Sequence, residues 1–96
     1  IMIYYTRGRS KMNIFILKAM QYLDNPELFA KDEMWQNAAD AADAAADAAY
    51  ADADAYYAAD AAADADAAAT NYQLNKYFKI TKENKQDYIN EVERLK

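Results

Sequence analysis

Large apolar residues cluster towards the two ends of this chain, and a tract of alanine and aspartate lies between them. Residues 11–23 place Ile14, Leu17, Ala19, Met20 and Leu23 among polar residues, mostly at helical spacing. Ser10 suits the N-cap of that helix, which is predicted over 10–23. Asp24-Asn25-Pro26 ends it and starts another, with Asn25 as cap and Pro26 at the first helical position. This second helix is predicted over 26–70 and carries Leu28, Phe29, Met34 and Trp35 before the alanines begin. Residues 71–80 hold Tyr72, Leu74, Tyr77, Phe78 and Ile80, an aromatic packing segment. Thr81 suits the cap of a last helix over 82–95, where Tyr88, Ile89, Val92 and Leu95 form one apolar face. The β-branched and aromatic start of the chain reads as a short extended arm, because no second clear strand follows it. Gly8, the single glycine, marks a turn.

The middle tract is simple in composition. Residues 38–69 are 21 Ala, 8 Asp and 3 Tyr. Alanine has the highest helix propensity, and Asp costs only a fraction of a kcal/mol beside it. An unbroken helix from Lys31 to Lys79 would be ~73 Å long at ~1.5 Å per residue. A globule of this size has a radius of gyration of only ~12.5 Å. The helix must therefore bend back, break, or sit in an oligomer. Two breaks are plausible on composition, one at residues 52–57 and one at Asn71. The expected fold class is all-α: one domain over 1–96, a small helical bundle or hairpin around a long Ala/Asp helix, with a short N-terminal arm.

Composition and charge narrow the chemistry. The 54% hydrophobic content is inflated by alanine, whose single methyl contributes far less than the ~1.5–3 kcal/mol of a buried Leu or Phe. There is no cysteine and no histidine. Disulfides, thiolate chemistry, the commonest general base and the commonest metal ligand are thus missing. No apolar run approaches the ~18 residues that span a bilayer, so a cytoplasmic protein without a membrane segment is expected. The net charge of −5 is unevenly spread. Residues 30–70 hold one basic and ten acidic side chains, while residues 1–29 and 71–96 each carry +2. The acidic block repels phosphates, so direct nucleic-acid binding by the middle is not expected. It favours a basic partner, or the basic ends of the chain itself.

At ~100° per residue, Asp40, Asp43, Asp47 and Asp54 fall within about 60° of one another, and Asp32 extends the stripe backwards. Asp52, Tyr56, Asp60 and Asp64 form a second ridge offset by roughly 100°. Tyr50 and Tyr57 edge the first stripe, and tyrosine beside carboxylates suits an adaptable recognition surface. The candidate partner-binding residues are Asp40, Asp43, Asp47, Asp52, Asp54, Asp60, Asp64, Asp66, Tyr50 and Tyr57. The opposite alanine faces are smooth enough for close helix packing, within the chain or between copies in a homodimer. Repeated Asp on an alanine helix forms no pocket and no unequal pair, so neither acid–base catalysis nor an enzyme is expected. Asp52 and Asp54 are a fragment of a calcium loop without its glycine or closing Glu, so no metal or other cofactor is expected.

Two readings of the acidic face follow. It engages a basic protein surface, or its Asp residues only keep an alanine-packed helical oligomer in solution. The run from Asn37 to Asn71, with its Ala-Ala-Asp and Ala-Ala-Tyr units, and the Lys/Asn/Tyr-rich segment from Asn71 to Lys96 resemble small bacteriophage-encoded acidic proteins. That resemblance implies an inhibitor in the host cytoplasm, directed at a host or anti-phage defence protein with a DNA-binding or nucleotide-handling surface. It also implies DNA mimicry as a route. Charge density bears on that route: eight Asp over residues 40–66 give one charge per ~5 Å of helix, against one per ~1.7 Å in duplex DNA.

Overall fold

The first helix starts from an asparagine. In the computed structural model, which describes residues 3–5, 11–46 and 50–96, Asn13 has an extended backbone at a helix start. Its Oδ1 accepts from the N–H groups of Phe15 (2.9 Å) and Ile16 (3.3 Å). Two donors that have no partner inside a helix are thereby satisfied. Helix α1 accordingly runs Ile14–Asp24. The start expected at Ser10, a residue outside those described, is displaced because Lys11–Asn13 is a strand. This strand, β2, pairs antiparallel with β1 (Ile3–Tyr5), Ile3 lying opposite Asn13 and Tyr5 opposite Lys11. The arm expected from sequence is thus half of a two-stranded hairpin. Its second half escaped notice because Met12, buried against Ile16 and Leu17, continues the apolar rhythm of the helix.

The helix expected over 26–70 is divided. Helix α2 is Lys31–Ala46, α3 is Tyr50–Ala63 and α4 is Ala67–Thr81. Pro26 opens no helix. Asn25 Oδ1 accepts the Glu27 N–H at 3.2 Å in a turn, and Glu33 Oε1 accepts the Ala30 N–H at 3.1 Å where α2 begins. The breaks expected at 52–57 and at Asn71 both lie inside uninterrupted helix. The divisions fall instead between Ala46 and Tyr50, where 47–49 lie outside the described residues, and at residues 64–66.

The second division is built without glycine. The Ala65 N–H donates to the Ala62 carbonyl (2.9 Å), and the Asp66 N–H donates to the Ala61 carbonyl (3.1 Å). That is the paired pattern of a Schellman helix end. Ala65 sits at φ 59°, in the left-handed region where glycine is the usual occupant. The next residue, Asp66, at once caps α4, its Oδ1 accepting the Ala69 N–H at 3.0 Å.

Folding the tract gives its methyl faces a use. Helix α3 is central, packing most extensively on α2 and α4 and also on α1. Ala55 and Ala58 point into a cluster with Ile16, Leu17, Leu74, Tyr77, Tyr88 and Val92. Ala59, Ala62 and Ala63 belong to a second cluster, with Phe15, Ala19, Met34, Ala38 and Ala41. Small residues permit this close approach to several helices at once. Ala38, Ala41, Ala55, Ala58, Ala59, Ala62 and Ala63 are therefore covered within the chain. The Cα radius of gyration is 12.0 Å, and the longest extent is 31 Å.

Helix α5, Lys85–Arg94, closes the bundle against α1. Its cap is Asn84, whose Oδ1 accepts the Gln86 N–H at 2.9 Å, rather than Thr81. Thr81 instead ends α4, donating to the Tyr77 carbonyl (2.9 Å) and accepting the Glu83 N–H (3.2 Å). In the α4–α5 connection Glu83 receives two tyrosines. Tyr77 Oη donates to its carboxylate at 2.9–3.0 Å, and so does Tyr88 Oη. Tyr88 Oη in turn accepts the Asn13 N–H at 2.8 Å, which fastens the hairpin's end to α5.

Candidate acidic binding interface

The acidic side chains divide by what they do inside the fold. Asp54 is 4% exposed, and Lys76 Nζ lies 3.9 Å from its Oδ1. A buried carboxylate needs such a partner. Asp54 therefore joins α3 to α4 and is unavailable at the surface. The stripe that was to link it to Asp40 and Asp43 does not exist, because the chain turns between α2 and α3. Asp66 is a helix cap. Glu91, also buried, is held by Arg94 Nε at 2.7 Å and by Arg94 Nη2. Asp24 and Glu93 meet Lys96 at 3.1 and 2.9 Å.

What is left on the surface centres on α2. Asp32, Glu33, Asp40 and Asp43 are all exposed. With Gln36 they occupy an arc of about 100°, opposite the face that buries Met34, Ala38 and Ala41. Neighbours at three and four residues stand ~5–6 Å apart at their Cβ atoms. Among the described residues, none of these four carboxylates has an ion-pair partner. Asp40 Oδ1 accepts only from the amide of Gln36, at 2.8 Å. Lys18 shares a shallow cavity of about 290 Å³ with Glu33, Gln36 and Asp40. Its ammonium stands 4.9 Å from the centre of the Phe29 ring, a cation–π placement, and leaves the carboxylates unpaired. Trp35 flanks the arc and is 41% exposed.

The other expected residues scatter. Asp60 is half-buried on α3, and Asp64 is exposed in the turn that follows. Tyr57 is exposed, its ring 5.5 Å from that of Tyr56. Asp47 and the side chains of Tyr50 and Asp52 lie outside those described. The second ridge is thus broken by the end of α3. Sequence reading missed Glu33 and Trp35. The spacing 33, 36, 40, 43 is an unbroken i+3/i+4 ridge and was the available signal, hidden because Glu33 precedes the alanine tract.

Asp66 can be separated from the binding face by experiment. Asp66→Ala is expected to cost ~1 kcal/mol of stability through the lost cap, read as a lower urea midpoint, with no change at the α2 surface. A variant as stable as the parent would contradict the capping role.

Among the described residues no group of carboxylates converges as a metal ion requires, and no helix is long and apolar enough to cross a membrane. Comparison with family models, with curated proteins and with solved structures finds no match for this chain.

Proposed function

We propose that this chain is a protein-binding module that lays the outer face of α2 on a basic surface of a partner protein. The observation that supports the reading is the division of labour among its carboxylates. Asp24, Asp54, Glu91 and Glu93 have an internal cation, Asp66 caps a helix and Glu83 receives two tyrosines. Asp32, Glu33, Asp40 and Asp43, by contrast, share one exposed face and, although Glu33 also caps α2, none of the four has an ion pair among the described residues. Concentrated like charge on a rigid helix costs self-repulsion. That repulsion is relieved when a basic surface covers the face.

In the form that the resemblance to phage proteins suggests, the partner is a bacterial host protein, including those of anti-phage defence, and covering its DNA-binding or nucleotide-handling surface inhibits it. The α2 arc carries four charges over twelve residues, or one per ~4–5 Å of helix. Duplex DNA is denser, at one per ~1.7 Å. The face therefore acts as an electrostatic dock, and imitation of a whole duplex would need a second acidic helix beside it. Burial of Ala38, Ala41, Ala55, Ala58, Ala59, Ala62 and Ala63 within the chain weighs against the alternative of an alanine-packed oligomer.

The test is capture from a bacterial lysate, identification of the partner by mass spectrometry, and a salt titration of the purified complex. Near 0.5 M salt, charges are screened beyond ~4–5 Å, and the complex should be largely lost. The variant Asp32→Asn, Glu33→Gln, Asp40→Asn, Asp43→Asn should weaken binding at least ~10-fold and flatten the salt dependence. Undiminished binding by that variant, with its helical circular dichroism intact, would refute the reading.

A further inference from the structure

The surface on the far side of α3 has the opposite character. Helices α2 and α4 both pack on α3, and the two expose different chemistry. On α4, Tyr72, Asn75, Lys76, Lys79 and Ile80 recur at i, i+3, i+4, i+7 and i+8, and every one is exposed. Tyr72 is 65% exposed and Ile80 44%. Lys82 follows at the left-handed helix end, at φ 64°, also exposed. Lys76 leans on Asp54, but Lys79 and Lys82 have no ion pair among the described residues. Exposed aromatic and aliphatic groups set among cations are an unusual composition for a solvated helix face. Exposed aromatic and apolar groups form the core of a contact, and charged groups its rim.

We propose that this outer face of α4 docks the α2 face of a second copy of the chain, so that copies associate head to tail and cover the acidic face. The inference rests on the reading of the α2 arc as a binding face. Charge complementarity selects the occupant. Lys79 and Lys82 are three residues apart, about one turn, and so are Asp40 and Asp43, with Gln36 and Glu33 beyond them. Each face also brings large apolar groups to the charged contact, Tyr72 and Ile80 on one side and Trp35 on the other. Because the two faces belong to different helices, the contact is heterologous, and each union leaves one free face of each kind. The net charge of −5 opposes growth. Attraction between the faces acts at contact, inside the ~8–10 Å Debye length at ordinary salt. The balance is a weak association that rises with concentration. It regulates the acidic face, because an α2 arc covered by another copy cannot take a heterologous partner.

The experiment is sedimentation or light scattering on the whole chain, from micromolar to millimolar, at about 0.1 M salt. The weight-average mass should rise with concentration. K79E/K82E and D40K/D43K should each weaken association at least ~10-fold. Mixing the two variants should restore it, since each then offers the sign the other has lost. A parent chain that stays monomeric throughout overturns the proposal, as does association that survives in both variants or fails to return on mixing. The underlying reading is judged separately. K79E/K82E keeps its α2 face intact, so it should still capture a heterologous basic partner whether or not self-association exists.

Discussion

Ala59→Leu is expected to lower the stability by ~1–3 kcal/mol, the range for a core forced to accept extra methylenes. Added to Ala58→Leu, it should abolish the cooperative unfolding transition. Two effects compete. Each buried methylene would bring ~0.8 kcal/mol of hydrophobic stabilisation if room existed. Room does not exist, since both alanines have no exposed surface and α3 packs against α1, α2 and α4 at once. Ala58 faces Ile16, Leu17 and Leu74, while Ala59 faces Phe15, Met34 and Ala38. Larger side chains at both positions push α3 away from both clusters together. A domain of this size has only ~5–15 kcal/mol in total, so two such insertions consume much of it. Ala39→Leu, on exposed α2 surface, is the control and should change stability by less than ~0.5 kcal/mol. Urea melts followed by circular dichroism decide the matter. Parent-like stability in the double variant would remove α3 from the centre of the fold.

Tyr88→Phe is expected to cost ~1–3 kcal/mol at neutral pH, the penalty for a buried donor left without an acceptor. The deleted hydroxyl accepts the N–H of Asn13, itself buried, and donates to Glu83. The same network sets an alkaline limit. Burial, foremost, pushes the Tyr77 and Tyr88 hydroxyls above their ordinary value of 10.0. For Tyr77 the neighbouring Tyr88 and then Glu83 add to it. For Tyr88 the hydrogen bond to Glu83 adds, and the Asn13 N–H pulls the other way. The folded state thus holds protons that the unfolded state releases near pH ~10. The stabilisation from the two groups is whole below that pH and is lost as pH rises towards the folded values. The chain should unfold in alkali, with tyrosinate absorbance and loss of helix appearing together. In Tyr77→Phe the loss of helix should be less steep in pH above 10. Buried tyrosines that ionise while the helices persist would contradict this account.

Much of the helical character was legible, and the reasons differ by segment. The last helix carries Tyr88 and Val92 at a spacing of four, and it folds where that rhythm places it, apart from its cap. The tract from Ala38 to Ala69 was legible as helix but not as separate helices. Its composition is nearly uniform, so nothing local marks where a turn falls. The left-handed residue at the α3–α4 turn is Ala65, identical in type to its helical neighbours, and no glycine announces it. Asp54 likewise reads like any other Asp in the tract. Its burial depends on Lys76, which sequence places 22 residues away and only the fold brings near. Asp40 and Asp43 were legible as surface because a one-faced helix exposes them whatever happens beyond Ala46. Lys11–Asn13 failed for the opposite reason, since three residues are too few to reveal a period of two.

The alanine interior has a thermal consequence. Of the buried apolar residues among those described, Ala19, Ala38, Ala41, Ala55, Ala58, Ala59, Ala62 and Ala63 each contribute one methyl. Unfolding them wets less hydrocarbon than unfolding the same number of leucines. The heat capacity of unfolding grows with the apolar surface wetted. For this chain it should fall below the usual ~12–15 cal/mol/K per residue. A small heat capacity flattens the dependence of stability on temperature. The fold then holds its modest stability over a broad span of temperature, with both heat and cold eroding it gradually.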